Sequence, residues 1–446
     1  MSWQKIKLKD VLKQYRIQHI VQDNVEYKQV TISKYDGVTY RGTKVGKDIG
    51  RKRQFIIDLK KYPNTLMLVR QGVQDGSIGI APKEVDGCIA TENMPMFSVE
   101  GVDLEYLRFL LKSPYFYDEL NKIETTGSAQ KSIHERQILE IEIPLPDLEE
   151  QKLFVKELTK LKNSGIEISY ELSHQLSFIK QLRQAFLREA MQGLLVITET
   201  NGETGAELLE KIKAEKAQLI KDKKLKKEKE LPPISDDEIP FEIPEHWTWC
   251  RLGEVCTKIT DGTHHSPTNI LEGEFMYVTA KNIKERGVDL TNITYVSKDV
   301  HDSIYTRCNP EYGDILYIKD GATTGVVTIN NLHQPFSLLS SVALLKVGKH
   351  VHNRFLMMLM RSPFYYEEIR NNMYGVALTR VTLAKINNSL IPLPPLHEQQ
   401  QIVAKLDELM AFCDGLEISI KASQGLNEKL LQEVLREALQ GEGVNV

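Results

Sequence analysis

The segment IPLPDLEEQ at Ile143–Gln151 recurs as IPLPPLHEQ at Ile391–Gln399, 248 residues further along the chain. A second pair has the same offset, because LREAMQG at Leu187–Gly193 returns as LREALQG at Leu435–Gly441. The two copies align without a gap between these anchors, and ten of the first nineteen positions are identical. An internal repeat of this length predicts one unit used twice, with a helical part supplied by each half of a pseudo-twofold whole.

Each repeat copy predicts a long helix that begins just after its IPLP segment. No proline occurs between Asp147 and Gly193, and Leu, Gln, Glu and Lys dominate that stretch. Such a helix would be about 70 Å long at about 1.5 Å per residue. In both copies apolar residues recur in alternating steps of three and four, the spacing of a coiled-coil seam. The predicted seam comprises Leu158, Leu161, Ile168, Leu172, Ile179, Leu182 and Phe186 in the first copy and Leu406, Leu409, Leu416, Ile420, Leu430 and Val434 in the second.

Polar residues also occupy seam positions. Gln175 and Ser423 are equivalent in the two copies, and Asn427 is a further polar position in the second. Buried polar residues of this kind can fix the register of paired helices. Two in-phase seams favour pairing of the helices with each other. The alternative, in which each helix packs as ordinary core on its own domain, stays open.

The sequence outside the repeated helices predicts two globular domains. Runs such as NTLMLVR at Asn64–Arg70 and DILYIK at Asp314–Lys319 are separated by Gly, Asp and Asn, which indicates strands and turns. In each domain the sequence also predicts one helix that contains a Ser-Pro pair. It starts at Asp103 in the first domain and at Asn353 in the second. At 446 residues the chain is too long for a single core.

These features predict an α+β chain in which two globular α/β domains are linked by two long helices. The predicted regions are a first domain at 1–145, a central helical region at 146–231, a Pro-rich linker with the second domain at 232–393, and a C-terminal helical region at 394–446. A Lys-rich helix from Glu203 to about Lys229 falls in the central region, and we interpret it as a solvated connector.

Composition narrows the possible classes of protein. Lys and Arg number 57 against 61 Asp and Glu, so a nucleic-acid surface would need its positive charge confined to one face. The five cysteines form no CxxC pair and are typical of reduced thiols in the cytoplasm, which is the predicted location. The N-terminal sequence predicts no signal peptide, and no apolar run is long enough to span a membrane.

A series of short motifs occurs in a fixed order along the chain. Besides the two IPLP segments these are GSAQKSI at Gly127–Ile133, KIKAEKAQLIK at Lys211–Lys221, EIPEHWTWCRLGEV at Glu242–Val255, DGTHH at Asp261–His265 and GDILYIKDGATTG at Gly313–Gly325. Together with the duplication, this series resembles the specificity subunits of type I restriction–modification systems. The resemblance covers essentially the full length of the chain.

The resemblance implies two target-recognition domains, each reading one half of a bipartite double-stranded DNA target. It implies two helices packed as an antiparallel coiled coil that sets the gap between the half-sites. The chain would bind no cofactor itself. It would dock modification subunits, two by its pseudo-symmetry, which methylate adenine with S-adenosylmethionine, and restriction subunits that use ATP and Mg²⁺ to translocate and cleave DNA. A specificity subunit of a related phage-defence methylation system and a non-specific coiled-coil scaffold are the alternatives.

Catalytic motifs are incomplete wherever they are suggested. Asn309-Pro310-Glu311-Tyr312 has Glu in place of the second Pro of an amino-methyltransferase motif. The segment 42–48 is one residue short of a phosphate-binding loop and has Asp48 where a hydroxyl is needed. The adjacent His264 and His265 lack the companions of a zinc site. The sequence therefore predicts a non-catalytic chain without a metal site.

Candidate DNA contacts are concentrated in the first domain. Residues 34–55 contain seven basic residues against two acidic ones, which is typical of a phosphate-binding surface, although a solvated loop is the alternative. Base reading is expected from polar and basic side chains on loops. The candidates are Lys44, Lys47, Arg51, Lys52, Arg53, Gln71, Gln74, Ser77, Gln130 and Lys131 in the first domain and His264, His265, Lys281, Lys319 and Arg380 in the second.

Overall fold

The computed structural model describes residues 3–50, 53–123, 132–197, 202–227, 229–370 and 380–440. Its contacts divide the chain into two compact units, the first with residues 1–174 and 420–446 and the second with residues 175–419. Each unit contains one sheet-rich domain, as the sequence predicts. The finer division into four regions stays a prediction.

The described residues of the first unit form eleven strands and three short helices. The strands are β1 (Lys5–Lys7), β2 (Leu12–Tyr15), β3 (Gln18–Ile20), β4 (Glu26–Ser33), β5 (Gly37–Val45), β6 (Arg53–Ile56), β7 (Thr65–Leu68), β8 (Ile78–Ile80), β9 (Ile89–Ala90), β10 (Met96–Val99) and β11 (Glu142–Pro144). The helices are α1 (Leu104–Leu111), α2 (Pro114–Asn121) and α3 (Glu135–Leu139). The strands form sheets in the orders β1-β11, β2-β10-β7-β8 and β3-β6-β9-β4-β5.

The second unit contains the remaining strands. These are β12 (Thr248–Arg251), β13 (Cys256–Asp261), β14 (Phe275–Val278), β15 (Ile283–Lys284), β16 (Gly287–Val288), β17 (Thr294–Val296), β18 (Ile315–Ile318), β19 (Val327–Ile329), β20 (Phe336–Leu338), β21 (Val342–Val347) and β22 (Leu390–Leu393). They form sheets in the orders β12-β22, β13-β21-β18-β19, β17-β14-β20 and β15-β16.

Two long helices belong to both units, and shorter helices complete the second. The long helices are α4 (Leu148–Met191) and α11 (Leu396–Gln440), and the others are α5 (Gly205–Lys221), α6 (Leu252–Val255), α7 (Lys298–Tyr305), α8 (Asn353–Arg361), α9 (Pro363–Arg370) and α10 (Leu383–Asn388). No helix in the described ranges combines the length and apolar composition that a membrane crossing requires.

One four-stranded sheet recurs with the same strand order in both units. The order β2-β10-β7-β8 in the first unit matches β13-β21-β18-β19 in the second, and all the pairs are antiparallel. The central strands β7 and β18 are buried along their whole length. Their alternate side chains enter two different cores, since Leu66 and Leu68 pack in one cluster and Met67 in another. Burial of both faces explains why these segments are unbroken apolar runs.

The predicted helix with a Ser-Pro pair is two helices in each unit. Ser113 caps α2 by accepting a hydrogen bond from the Phe116 amide at 3.2 Å, and Ser362 accepts one from the Tyr365 amide at 3.3 Å. Proline at the first helical position has no amide hydrogen to donate, so it suits a new helix and not the continuation of the previous one. The prediction of one helix here was therefore wrong.

Within the first unit the two long helices run antiparallel. The Asn427 side chain donates hydrogen bonds to the Gly165 carbonyl at 2.8 Å and the Ser169 hydroxyl at 2.9 Å. The Gln424 side chain lies 3.4 Å from the Ser173 hydroxyl, so an earlier residue of α11 meets a later residue of α4. Asn427 thus makes specific polar contacts at one of the predicted seam positions.

In the second unit the end of α4 packs beside the start of α11. Arg183 forms ion pairs with Asp414 at 2.7 Å and Glu417 at 3.1 Å. Leu187 and Leu406 lie in the same apolar core, which also holds the central sheet of this unit.

The predicted seam residues differ widely in burial. Leu158, Ile179 and Leu406 are buried, Leu172, Leu182, Phe186, Leu409, Ile420 and Val434 are partly buried, and Leu161, Ile168, Leu416 and Leu430 are exposed. Leu406 packs in the core of its own domain, as the alternative to mutual pairing expects. The continuous coiled coil stays a prediction.

Candidate nucleic-acid interface

The described basic residues of segment 34–55 are exposed but spread across a sheet. Lys44 lies on β5 and Lys47 lies in the turn that follows, whereas Arg53 opens β6 with its guanidinium 6.0 Å from the Phe55 ring centre. Strands β9 and β4 separate β6 from β5, so the sheet keeps Arg53 away from Lys44. Arg51 and Lys52 lie outside the described residues.

Three predicted base-reading residues share one loop. Gln71, Gln74 and Ser77 lie in the connection from β7 to β8, with Gln71 exposed and the other two partly buried. Main-chain hydrogen bonds of 2.9 Å from Val69 to Ser77 and from Ser77 to Gly72 close this loop. The loop therefore holds the three side chains on a defined backbone. Gln130 and Lys131 lie outside the described residues.

A cluster that the sequence did not predict lies at one edge of the first central sheet. Strands β2 and β7 are both antiparallel to β10, so their C-terminal ends meet at the same edge. Arg16 follows β2 and Arg70 follows β7 closely. Their Nη2 atoms lie 2.8 and 2.6 Å from Oε1 of Glu135, which opens α3 and is only 8% exposed. We call Arg16, Arg70 and Glu135 the first charged edge.

The Glu135 carboxyl is held in its ionised form. Burial opposes ionisation, but hydrogen bonds from Arg70, from its own backbone amide and from Gln14 outweigh burial and lower its pKa from 4.5 to about 2. A carboxylate that is ionised at every moderate pH gives the two arginines a permanent anchor.

We expect Glu135 to stabilise the native state at neutral pH and to lose this effect in acid. Because its folded pKa lies below the ordinary value, the contribution is complete above about pH 4.5 and disappears as the pH falls towards about 2. Urea unfolding of wild type and Glu135→Gln at pH 7, 4 and 3 should show a difference in stability that shrinks with acidification. Glu105→Gln, which changes an exposed carboxylate on α1, is the matched control. A difference that stays constant over this range would contradict the assignment.

The equivalent edge of the second central sheet carries another cluster. Strands β13 and β18 are both antiparallel to β21, which brings Asp261 at the end of β13 beside Lys319 after β18. Asp261 is 2% exposed, and its carboxylate lies 3.3 Å from Nη2 of Arg307, 3.3 Å from Nε2 of His264 and 3.4 Å from Nζ of Lys319. We call Asp261, His264, Arg307 and Lys319 the second charged edge.

Lys319 lies inside this network. Its side chain is 2% exposed, and its ammonium group also lies 3.0 Å from Asp320. A phosphate could not reach it without a rearrangement of this loop, so Lys319 serves as an internal partner of two carboxylates. Arg380 contacts the same Asp320 at 3.4 Å and is exposed.

The loop that follows Asp261 is fixed at its base and exposed at its tip. Arg307 donates hydrogen bonds to the carbonyls of Asp261, at 2.9 Å, and Gly262. A Cβ at Gly262 would lie 1.8 Å from the Leu338 carbonyl oxygen, so only glycine fits this close approach. His264 and His265 are exposed beyond this point.

Lys281 is exposed on a separate turn. Among the described residues no group of three or more His, Cys, Asp and Glu could hold a metal ion.

Arg70 and Lys319 occupy equivalent backbone positions in their domains. The Arg70 carbonyl accepts a hydrogen bond from the Ile133 amide at 3.1 Å, and the Lys319 carbonyl accepts one from Val381 at 2.8 Å. Ile133 and Val381 are 248 residues apart, the offset of the sequence repeat. The same point of the same sheet therefore carries a buried or half-buried basic residue paired with a carboxylate in both units.

Comparison with known proteins gives consistent matches. The family model described as "Type I restriction modification DNA specificity domain" matches residues 1–177 and 244–423. The chain is 28% identical over 374 residues to the type I restriction enzyme EcoAI specificity subunit of Escherichia coli, which covers 72% of this chain and 62% of that protein. It is 31% identical over 269 residues to the EcoEI specificity subunit of Escherichia coli, covering 58% and 43%. The chain thus matches less than two thirds of the length of either relative.

Two solved structures have a similar fold. The HsdS subunit from Thermoanaerobacter tengcongensis aligns with a TM-score of 0.56 at 20% identity, over 99% of this chain and 97% of that chain. A chain from a structural study of complex assembly and conformational transition of the type I R-M system aligns with a TM-score of 0.61 at 19% identity, over 99% and 98%. At this level of identity the match concerns the fold.

Proposed function

The chain belongs to the family of type I restriction–modification DNA specificity proteins, and from this we propose that it is the specificity subunit of a type I restriction–modification complex. Each globular domain would read one half of a bipartite double-stranded DNA target. The chain itself would carry out no catalysis. Specificity subunits are also what the matched relatives are called.

This proposal rests on one observation. The same sheet occurs in both domains, with different charged side chains at its equivalent edge. Both domains contain a four-stranded sheet of the same order, and both have a charged cluster at the equivalent edge. The first edge has two guanidinium groups on one glutamate, whereas the second has a lysine, an arginine and a histidine around one aspartate. A common scaffold with divergent polar groups suits the reading of two different DNA sequences.

The long helices are assigned the role of a spacer. In this proposal α4 and α11 pair as an antiparallel coiled coil and set the number of unread base pairs between the half-sites. The polar contacts of Asn427 with Gly165 and Ser169 support a defined register in the first unit.

The proposal also implies partners that supply the chemistry. Modification subunits, two by the internal repeat, would methylate adenine with S-adenosylmethionine, and restriction subunits would use ATP and Mg²⁺. This chain would contribute the DNA sequence that the whole complex recognises, and it would bind none of these cofactors.

Mapping methylated adenine in the source genome by long-read sequencing tests the proposal, with the gene intact and deleted. We expect a split motif with a fixed gap that disappears on deletion. A wild-type genome without such a motif, combined with purified full-length chain that binds all DNA sequences equally, would favour the scaffold alternative. A split motif with other partners in a pull-down would indicate the related phage-defence system.

The exposed basic residues Lys44, Lys47 and Arg53 should contribute affinity that does not depend on sequence. Replacing all three by alanine should weaken binding to every DNA duplex and reduce the slope of log affinity against log salt by up to about 0.9 per lost phosphate contact. Titrations of the full chain at several salt concentrations measure this slope. Replacement of Lys152, an exposed lysine on α4 that pairs with Glu149, is the control. An unchanged slope in the triple variant would remove these residues from the interface.

A further inference from the structure

The two charged edges share a common arrangement of charges. In each edge a buried carboxylate lies between an inner and an outer basic group. This carboxylate is Glu135, with a side chain 11% exposed, or Asp261, with a side chain 3% exposed. The inner group is Arg70 or Lys319, at equivalent backbone positions. The outer group of the first edge is Arg16, whose side chain is 53% exposed.

The second edge has the same arrangement with another outer group. The His264 side chain is 51% exposed, and its Nε2 lies 3.3 Å from the buried Asp261 carboxylate. Arg307 contacts the same carboxylate and also holds the loop that carries His264. Each domain therefore presents an exposed nitrogen-bearing side chain on a buried carboxylate. In the second domain the Arg307 side chain, which is 52% exposed, contacts this carboxylate as well as His264.

Buried ion pairs such as Lys319 with Asp261 are poor sources of stability. Removing both charges from water costs about as much as their attraction returns, so apolar residues of similar size would serve the core equally well. Their occurrence at the same edge in both domains indicates a role in fixing the direction of the outer side chain.

The charge of the first edge favours base edges over phosphates as the ligand. A buried carboxylate beside the cations repels phosphate oxygens, unlike the exposed cations Lys44 and Lys47, which have no acidic partner among the described contacts. A base edge in the major groove offers acceptors and amino donors side by side. Among the described residues only Nη2 of Arg16 is engaged, which leaves its other guanidinium donors for such an edge.

We propose that Arg16 and His264 are specificity-determining residues that contact base edges, one in each half of the DNA target, and that Glu135 with Arg70 and Asp261 with Lys319 are positioning pairs that aim them. Arg16 suits the paired acceptors of guanine, which an arginine contacts with two parallel hydrogen bonds. The assignment rests on the proposed function, because it names the residues through which each domain would read its half-site.

Selection from a random double-stranded DNA pool with the full-length chain tests the assignment. The wild-type chain should enrich a two-part motif. Arg16→Ala should erase the preference at one or two positions of one half, with a loss of discrimination of roughly 5- to 150-fold, and leave the other half and the gap unchanged. His264→Ala should act on the opposite half only.

The test of the positioning pairs must separate an effect on the orientation of the outer side chain from an effect on folding. Glu135→Gln should weaken the base preference at the same motif positions as Arg16→Ala, and Asp261→Asn at the same positions as His264→Ala. The salt dependence of DNA binding should stay unchanged in both. Glu135→Asp should restore part of the preference, because it keeps the anchoring charge. Thermal melting identifies positioning variants that fail to fold. Where Glu135→Gln or Asp261→Asn fails to fold, the Arg16→Ala and His264→Ala variants decide the result by themselves.

Matched controls are Arg108→Ala on α1, with a side chain 48% exposed, and His397→Ala at the exposed start of α11. Both should leave the motif intact. A wild-type motif that survives Arg16→Ala and His264→Ala unchanged, or that weakens uniformly at all positions, would overturn the assignment while leaving the proposed function in place. A wild-type chain that enriches no motif would refute the assignment, and together with a genome that lacks a split methylated motif it would refute the proposed function as well.

Discussion

Lengthening both long helices by four residues should change the gap of the DNA target and leave both half-sites as they are. We expect this result from insertions of four helix-forming residues after His174 in α4 and after Ser419 in α11. At these points each helix passes from one compact unit to the other, so the contacts within each unit are preserved. Four residues exceed one helical turn by only about 40°, which keeps the apolar positions nearly in phase.

The size of the effect follows from helix and DNA geometry. Four residues add about 6 Å at about 1.5 Å per residue, and consecutive base pairs are about 3.4 Å apart, so the gap should grow by at most about two base pairs. The original target should then lose specific binding almost completely. DNA selection with the full chain measures the new gap. The same insertion in the exposed turn at Gly101 is the control, and an unchanged gap in the helix variant would refute the spacer role.

Charged residues between the helices should separate them in the first unit. Leu172 and Ile420 are partly buried at predicted seam positions, in the same register as the contact of Gly165 with Asn427. Leu172→Asp together with Ile420→Asp places two like charges between the helices, and we expect each substitution to cost about 1 to 3 kcal/mol of unfolding free energy. Urea unfolding followed by circular dichroism should show an early transition with loss of helix.

Equally charged variants on the outer surface of the same helices provide the comparison. Ile166 and Leu426 are 58% and 70% exposed, so Ile166→Asp with Leu426→Asp adds the same charge without entering the space between the helices. This control should unfold like wild type. If both double variants unfold like wild type in one cooperative step, the helices do not depend on each other and the paired arrangement is wrong.

Features encoded within short windows were predicted well. The family resemblance, which rests on short motifs and on the 248-residue repeat, is confirmed by the family model. Two sheet-rich domains and long helices were also predicted, because strand runs and the absence of proline act through neighbouring residues. The Ser-Pro pairs were misread, although the rule that a proline starts a new helix is local and would have found both breaks.

Such local sequence patterns could not predict the charged edges. Glu135 lies 119 residues from Arg16 and 65 from Arg70 in sequence, and no spacing rule joins them. The local sign was a basic residue within two positions of a strand end, at Arg16 after β2 and at Arg70 after β7. Lys319 carries the same sign and was predicted to face DNA, yet Asp261 and Asp320 enclose it.

By itself the sequence determined where the two long helices and the duplication lie and to which family the chain belongs. These properties depend on contacts between residues a few positions apart or on direct identity between the two copies. Only the tertiary structure decided which charges meet. In each central sheet two strands flank one antiparallel partner, so their C-terminal ends reach the same edge. Hydrogen bonding at that edge sets which cations a buried carboxylate anchors and which side chains remain exposed to solvent.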